Sequence, residues 1–172
     1  GPEPTANYEM VFQNSTVDIC VLGEGEATLN HLVETLSSGG DLQQVPGLAI
    51  RQNGGAVFLT PKRQLIHDLE DIPLPAWELV DLAKYTGMHI HKSSPQTHIL
   101  VSRGCPFDCN FCANPVWKLS KPWVRMRKPS SIAAEVKLLY DKGVREIYMT
   151  SDEFNVSEKW AIDVCQAIKS LG

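Results

Sequence analysis

Cys105-Pro-Phe-Asp-Cys109-Asn-Phe-Cys112 gathers three of the chain's five cysteines into one short run. It follows directly on Leu100-Val-Ser-Arg-Gly104. Thiolates are soft ligands, and Cys-x-x-x-Cys-x-x-Cys suits an iron–sulfur cube better than other metal centres. Three ligands instead of four keep one iron of such a cube open to a small molecule, an arrangement that serves chemistry. Other uses of these thiols fit less well. Structural zinc wants four ligands, usually with cysteines in Cys-x-x-Cys pairs, and would need His89, His91 or His98 as the fourth. The odd cysteine count in a chain of 172 residues argues against a disulfide framework. Cys20 and Cys165 each sit within an apolar pattern, as core thiols do.

The surrounding elements must present this run. Residues 97–102 read as a strand feeding it, and Pro129-Ser-Ser-Ile132 opens a helix. Ile132, Val136, Leu139 and Tyr140 share a face of that helix, and Gly143 closes it. Residues 145–150 form the next strand, and 157–171 the next helix, with Ser157 as its cap. Strand, loop and helix in repetition predict an α/β fold with a parallel sheet. Catalytic groups gather at strand ends in such folds. The cysteine run and Ser151-Asp-Glu-Phe-Asn155 are therefore expected on one rim.

Upstream, Val17–Leu22 reads as a buried strand and Gly23-Glu-Gly-Glu26 as a turn. Leu29, Leu32, Val33 and Leu36 mark one face of a helix that Gly39-Gly40 ends. That strand–turn–helix again argues for parallel pairing. Residues 47–52 and 56–60 flank Asn53-Gly-Gly55 as a hairpin. The charged, proline-rich segment 61–96 reads as a stiff connector. It divides the chain into residues 1–60, a linker 61–96, and a second domain 97–172.

A hydrophobic content of 43%, a charged content of 21% and a net charge of −4 describe an ordinary globular chain without a broad basic footprint. Nucleic acid is accordingly not favoured as the main partner. No apolar run approaches the roughly 18 residues of a membrane helix, and no signal peptide is evident. With reduced cysteines, this places the expected location in the cytoplasm.

The cysteine spacing, with Phe111 just before the last thiol, resembles the radical S-adenosylmethionine (radical SAM) superfamily signature. Gly1-Pro-Glu-Pro-Thr-Ala-Asn7, Val21-Leu-Gly-Glu-Gly-Glu-Ala-Thr-Leu29 and Pro73-Leu-Pro-Ala-Trp77 are similar to the cobalamin-binding branch of that superfamily. Anaerobic magnesium-protoporphyrin monomethyl ester cyclase and cobalamin-dependent methylases belong to this branch. The resemblance implies the end of a Rossmann-like cobalamin-binding domain, followed by the first β-α units of a radical SAM partial TIM barrel. It implies that Cys105, Cys109 and Cys112 ligate a [4Fe-4S] cluster whose fourth iron takes S-adenosylmethionine, with Phe111 beside the adenine. Electron transfer from the cluster would release methionine and a deoxyadenosyl radical, used for methylation or oxidative cyclisation of a small-molecule substrate. An electron donor such as flavodoxin or ferredoxin is implied as a partner.

In many members an acid after the second strand holds the methionine amino group. Here Asp152 and Glu153 are the candidates, without the usual preceding glycines. Gly1 and Glu24 are the candidates on the cobalamin side, while the Asp-x-His-x-x-Gly stretch that supplies a cobalt ligand in many members is absent from the sequence. Lys118, Lys121, Arg125, Arg127 and Lys128, with Trp117 and Trp123 interleaved, read first as a solvated face. An arginine among them, Arg127, is also a candidate for a carboxylate of the cofactor or substrate. The resemblance further implies a middle fragment, inactive alone and exposing apolar faces at Ile132, Val136, Leu139, Trp160, Val164 and Ile168. Two readings stand beside this one: a radical SAM enzyme without cobalamin, and a non-catalytic iron–sulfur or zinc module.

Overall fold

A computed structural model describes residues 1–86, 92–118 and 120–172. The chain forms two compact units, residues 1–65 with 108–121, and residues 66–107 with 122–172.

In the first unit, β1 (Ile19–Val21), β2 (Leu48–Arg51) and β3 (Val57–Leu59) form an antiparallel sheet in that order. Ile50 pairs with Phe58 across the hairpin that Asn53-Gly-Gly55 predicts. The parallel pairing anticipated for the first strand is not what forms. Ile19 lies opposite Ile50 in an antiparallel ladder, because the short connection through Leu42–Gln44 returns the chain alongside β1. Helix α1 (Pro2–Gln13), kinked at Asn7, lays Phe12 against Cys20 and Ala49. Burial raises the Cys20 thiol pKa; Arg51 and the N-terminus lower it, but less strongly. Helix α2 (Glu26–Ser38) ends where expected, at Gly39 with a left-handed φ of 67°. Its apolar stripe is only partly used. Leu32 is buried, whereas Leu29, Val33 and Leu36 are exposed.

In the second unit, β4 (Gln96–Leu100) and β7 (Glu146–Thr150) pair in parallel, Leu100 opposite Thr150. Thr97 and Ile99 point into the core, as alternation along a strand requires. Short strands β5 (Ser102–Arg103) and β6 (Arg125–Met126) form an antiparallel ladder just beyond β4. Helices α3 (Pro129–Asp141) and α4 (Glu158–Lys169) pack on the sheet through Ile132, Leu139, Trp160 and Val164. Of the faces expected to stand partly exposed, Ile132, Leu139, Trp160 and Val164 are instead buried against one another and Ile99, while Val136 and Ile168 are partly buried. Fully burying side chains of this size contributes about 1.5–3 kcal/mol each. Tyr140 departs from its predicted face and lies exposed beneath the Arg145 guanidinium, 4.4 Å from the ring centre.

Segment 66–86 is anchored to this core. Leu82 is buried in it, and Trp77 and Val80 pack against it. Ser157 Oγ accepts from the Trp160 N–H at 3.3 Å, the cap predicted for α4. Ser157→Ala is expected to cost about 1 kcal/mol, the ordinary value of a lost N-cap, measurable as a lowered denaturant midpoint.

Candidate metal centre

The rim where β4 and β7 end is cross-linked by side chains. Ser102 Oγ and Ser151 Oγ lie 2.5 Å apart, and the Gly104 N–H donates to Asp152 Oδ2 at 2.6 Å. Residues 102–104, which lead into the cysteine run, thus share one rim with the acidic turn, as strand order predicts. Gly104 has φ +87°, and a Cβ built there would run into the Trp123 carbonyl. Only glycine lets the chain turn between β5 and Cys105 in this way. Cys105 itself is buried, 9% exposed.

Cys109 and Cys112 belong to segment 108–121 of the first unit and are exposed. The Cys112 N–H donates to Cys109 O at 3.0 Å, and the Asn114 N–H donates to Cys112 Sγ at 3.4 Å. Phe111 is 94% exposed, an unusual position for a phenyl ring. Among the described residues no group of three or more His, Cys, Asp or Glu side chains is placed to hold a metal ion. The donor set suits an iron–sulfur cluster by its chemistry and spacing.

The acids divide. Asp152 is exposed and committed to the Gly104 amide, whereas Glu153 is half-buried beside it. Arg127, a candidate for a carboxylate, turns into the interior instead. Its Nη1 donates to Glu135 Oε2 and Leu100 O, and its Nη2 to Ser131 Oγ, so both terminal nitrogens are occupied. Nor is the basic stretch the solvated face that composition suggests. Arg125 and Arg127 are buried, and the Lys118 side chain, 11% exposed, pairs with Asp108 at 2.5 Å. Lys121, Trp123 and Lys128 are exposed, and the Trp117 side chain lies outside the described ones. On the first unit, the Gly1 nitrogen lies 3.4 Å from the carbonyls of Val21 and Gly23. The Gly23 N–H donates to Thr5 Oγ1 at 2.8 Å, which brings Gly1 to the turn that carries Glu24. His89 and His91 lie outside the described residues. His98, on β4, places Nδ1 3.3 Å from Thr150 Oγ1.

The model of the radical SAM superfamily matches residues 99–171, from β4 through α4. Residues 99–171 belong to the radical SAM superfamily. Across the whole chain the sequence is 34% identical over 174 residues to an uncharacterized methyltransferase of Pyrococcus horikoshii, covering 100% of this chain and 36% of that protein. It is 32% identical over 173 residues to anaerobic magnesium-protoporphyrin IX monomethyl ester cyclase of Synechocystis, covering 98% and 32%. The chain therefore spans about a third of the length of these relatives. The solved structure of OxsB, a cobalamin-dependent S-adenosylmethionine radical enzyme with aqua-cobalamin and S-adenosylmethionine bound, superposes with a TM-score of 0.71 at 22% identity over 95% of this chain and 23% of OxsB. TsrM from Kitasatospora setae, a radical S-adenosylmethionine methyltransferase, gives 0.67 at 20% identity over 96% and 31%. At these identities the likeness establishes the fold, a mixed α/β arrangement shared with radical SAM enzymes.

Proposed function

We propose that this chain is part of a radical SAM enzyme that works with cobalamin in methylation or oxidative cyclisation of a small-molecule substrate. The observation that carries the reading is the cysteine run that follows β5 inside the matched residues, entered through Gly104, whose amide binds Asp152 after β7. Cys105, Cys109 and Cys112 would hold a [4Fe-4S] cluster, which when bound supplies the electron that cleaves S-adenosylmethionine into methionine and a deoxyadenosyl radical. The chain's own part is to bind and orient. Gly104 and Asp152 fix the mouth of the loop, Phe111 offers an aromatic face to the adenine, and Glu153 offers a carboxylate to the methionine ammonium.

Cobalamin enters through the relatives and through the turn at Gly23-Glu24, which Gly1 and Thr5 approach. Residues 1–60 are read as the end of a cobalamin-binding domain, 61–96 as the linker, and 97–172 as the start of the radical SAM domain. A flavodoxin- or ferredoxin-type protein is the proposed electron donor, and the cytoplasm the proposed location. No helix among the described residues is long and apolar enough to cross a membrane.

Glu153→Gln tests the cofactor half of this reading. It removes a charge-assisted hydrogen bond of about 1.5–3 kcal/mol, so S-adenosylmethionine should bind the anaerobically reconstituted protein one to two orders of magnitude more weakly. Iron content should not change, because the acid is not a ligand. Unaltered affinity in Glu153→Gln, with loss in Asp152→Asn, would transfer the role to Asp152. Unaltered affinity in both would make the turn purely structural.

A further inference from the structure

A buried ion pair lies directly behind the strand that leads to Cys105. Glu135, on α3 and 1% exposed, accepts from Arg127 Nη1 at 2.5 Å through Oε2 and from Trp77 Nε1 at 3.0 Å through Oε1. Arg127 passes these contacts on to the backbone. Its Nη1 donates to Leu100 O at 2.9 Å, and its main-chain N–H donates to Val101 O at 3.0 Å. The Arg127 carbonyl is itself held by Trp160 Nε1 at 2.8 Å. Two consecutive carbonyls at the end of β4 are therefore gripped by one residue, and that residue is oriented by a carboxylate and an indole.

Stability does not explain such a pair. Desolvating two charges costs about as much as their attraction returns, and apolar replacements of similar volume are often neutral or favourable. What an apolar pair cannot do is donate hydrogen bonds to chosen carbonyls. We infer that Arg127 and Glu135 are positioning residues. Trp77 fixes the Glu135 carboxylate, Glu135 aims the guanidinium, and Arg127 sets the direction in which the chain leaves β4 toward Gly104 and Cys105. That this direction matters to a cluster rests on the radical SAM reading above. The placement of the backbone does not.

The test pairs Arg127→Met with Glu135→Met, which removes both charges together and leaves neither unpaired. Hydrogen–deuterium exchange is read on peptides covering residues 100–105 and, as a reference, α4. Exchange at 100–105 should rise about tenfold or more with α4 unchanged, the pattern of local and not global opening. In the reconstituted protein, affinity for S-adenosylmethionine should fall about tenfold at constant iron content, as expected of a displaced site. Trp77→Phe keeps an aromatic ring and removes the donor to Glu135; a smaller rise at 100–105 is expected. Should the paired variant not fold, Trp77→Phe decides the matter by itself. Wild-type exchange at 100–105 in a folded paired variant, or in Trp77→Phe when that is the deciding variant, overturns the positioning role. Failure of the wild-type protein to load iron would sink the cluster reading, while the exchange result would still judge the positioning role.

Discussion

Alanine at Cys105, Cys109 and Cys112 together is expected to abolish iron loading, whereas Cys20→Ala and Cys165→Ala leave it intact. The wild-type protein, reconstituted without oxygen, should take up about four irons per chain with a broad charge-transfer absorption. The contrast follows from the setting of each thiol. Cys20 packs against Phe12 and Ala49, and burial works against its ionisation, so it behaves as a small hydrophobe. Cys165 is exposed on α4, in a helix that places no second cysteine near it in sequence. Cys109 and Cys112 are exposed within a tight turn, with a backbone N–H directed at one sulfur. Iron measured by colorimetric chelation decides the point. Equal loading in the triple variant would place any cluster elsewhere.

Gly104→Ala should have the largest effect of any single substitution near the site. A non-glycine residue at φ +87° carries strain of about 1–3 kcal/mol. Its Cβ would also meet the Trp123 carbonyl, which is backbone and cannot swing aside as a side chain can. Together these should cost roughly 3–5 kcal/mol, in the range reserved for identifiable structural faults. For a chain of this size that lowers the apparent Tm by about 6–20 °C. The β5–β6 ladder would open first, because Gly104 sits directly after Arg103 and the clash falls two residues before Arg125. Iron loading should fall with it. A melting temperature within a degree or two of wild type would show that the turn relaxes without cost.

What was legible in the sequence was local. Helix α2 ends at Gly39, α3 begins at Pro129 and closes before Gly143, and α4 begins after Ser157, because caps and breakers act within one turn. The hairpin at Asn53-Gly-Gly55 was legible for the same reason. Cysteine spacing pointed to metal chemistry because adjacent ligands are also adjacent in sequence. Partnerships across the fold were not legible. Trp77 and Glu135 are 58 positions apart, and nothing in either neighbourhood announces the other. Arg127 accordingly read as a surface or cofactor residue until Glu135 claimed it. Helix α1 escaped notice because it is weakly amphipathic and buries only Phe12. The α2 periodicity marked an apolar face, but whether a neighbour covers it was not legible: Leu32 is buried while Leu29, Val33 and Leu36 are exposed. Nor was the hold of Asp152 on the Gly104 amide legible, a contact between two loops that no spacing rule connects.

The most direct measurement is the fate of S-adenosylmethionine with the reconstituted protein under dithionite and without oxygen. Deoxyadenosine and methionine should form in equal amounts, however slowly, and neither should form with the Cys105, Cys109 and Cys112 triple variant. An iron-loaded protein that leaves S-adenosylmethionine intact, or a protein that retains zinc and refuses iron, would contradict the radical SAM account.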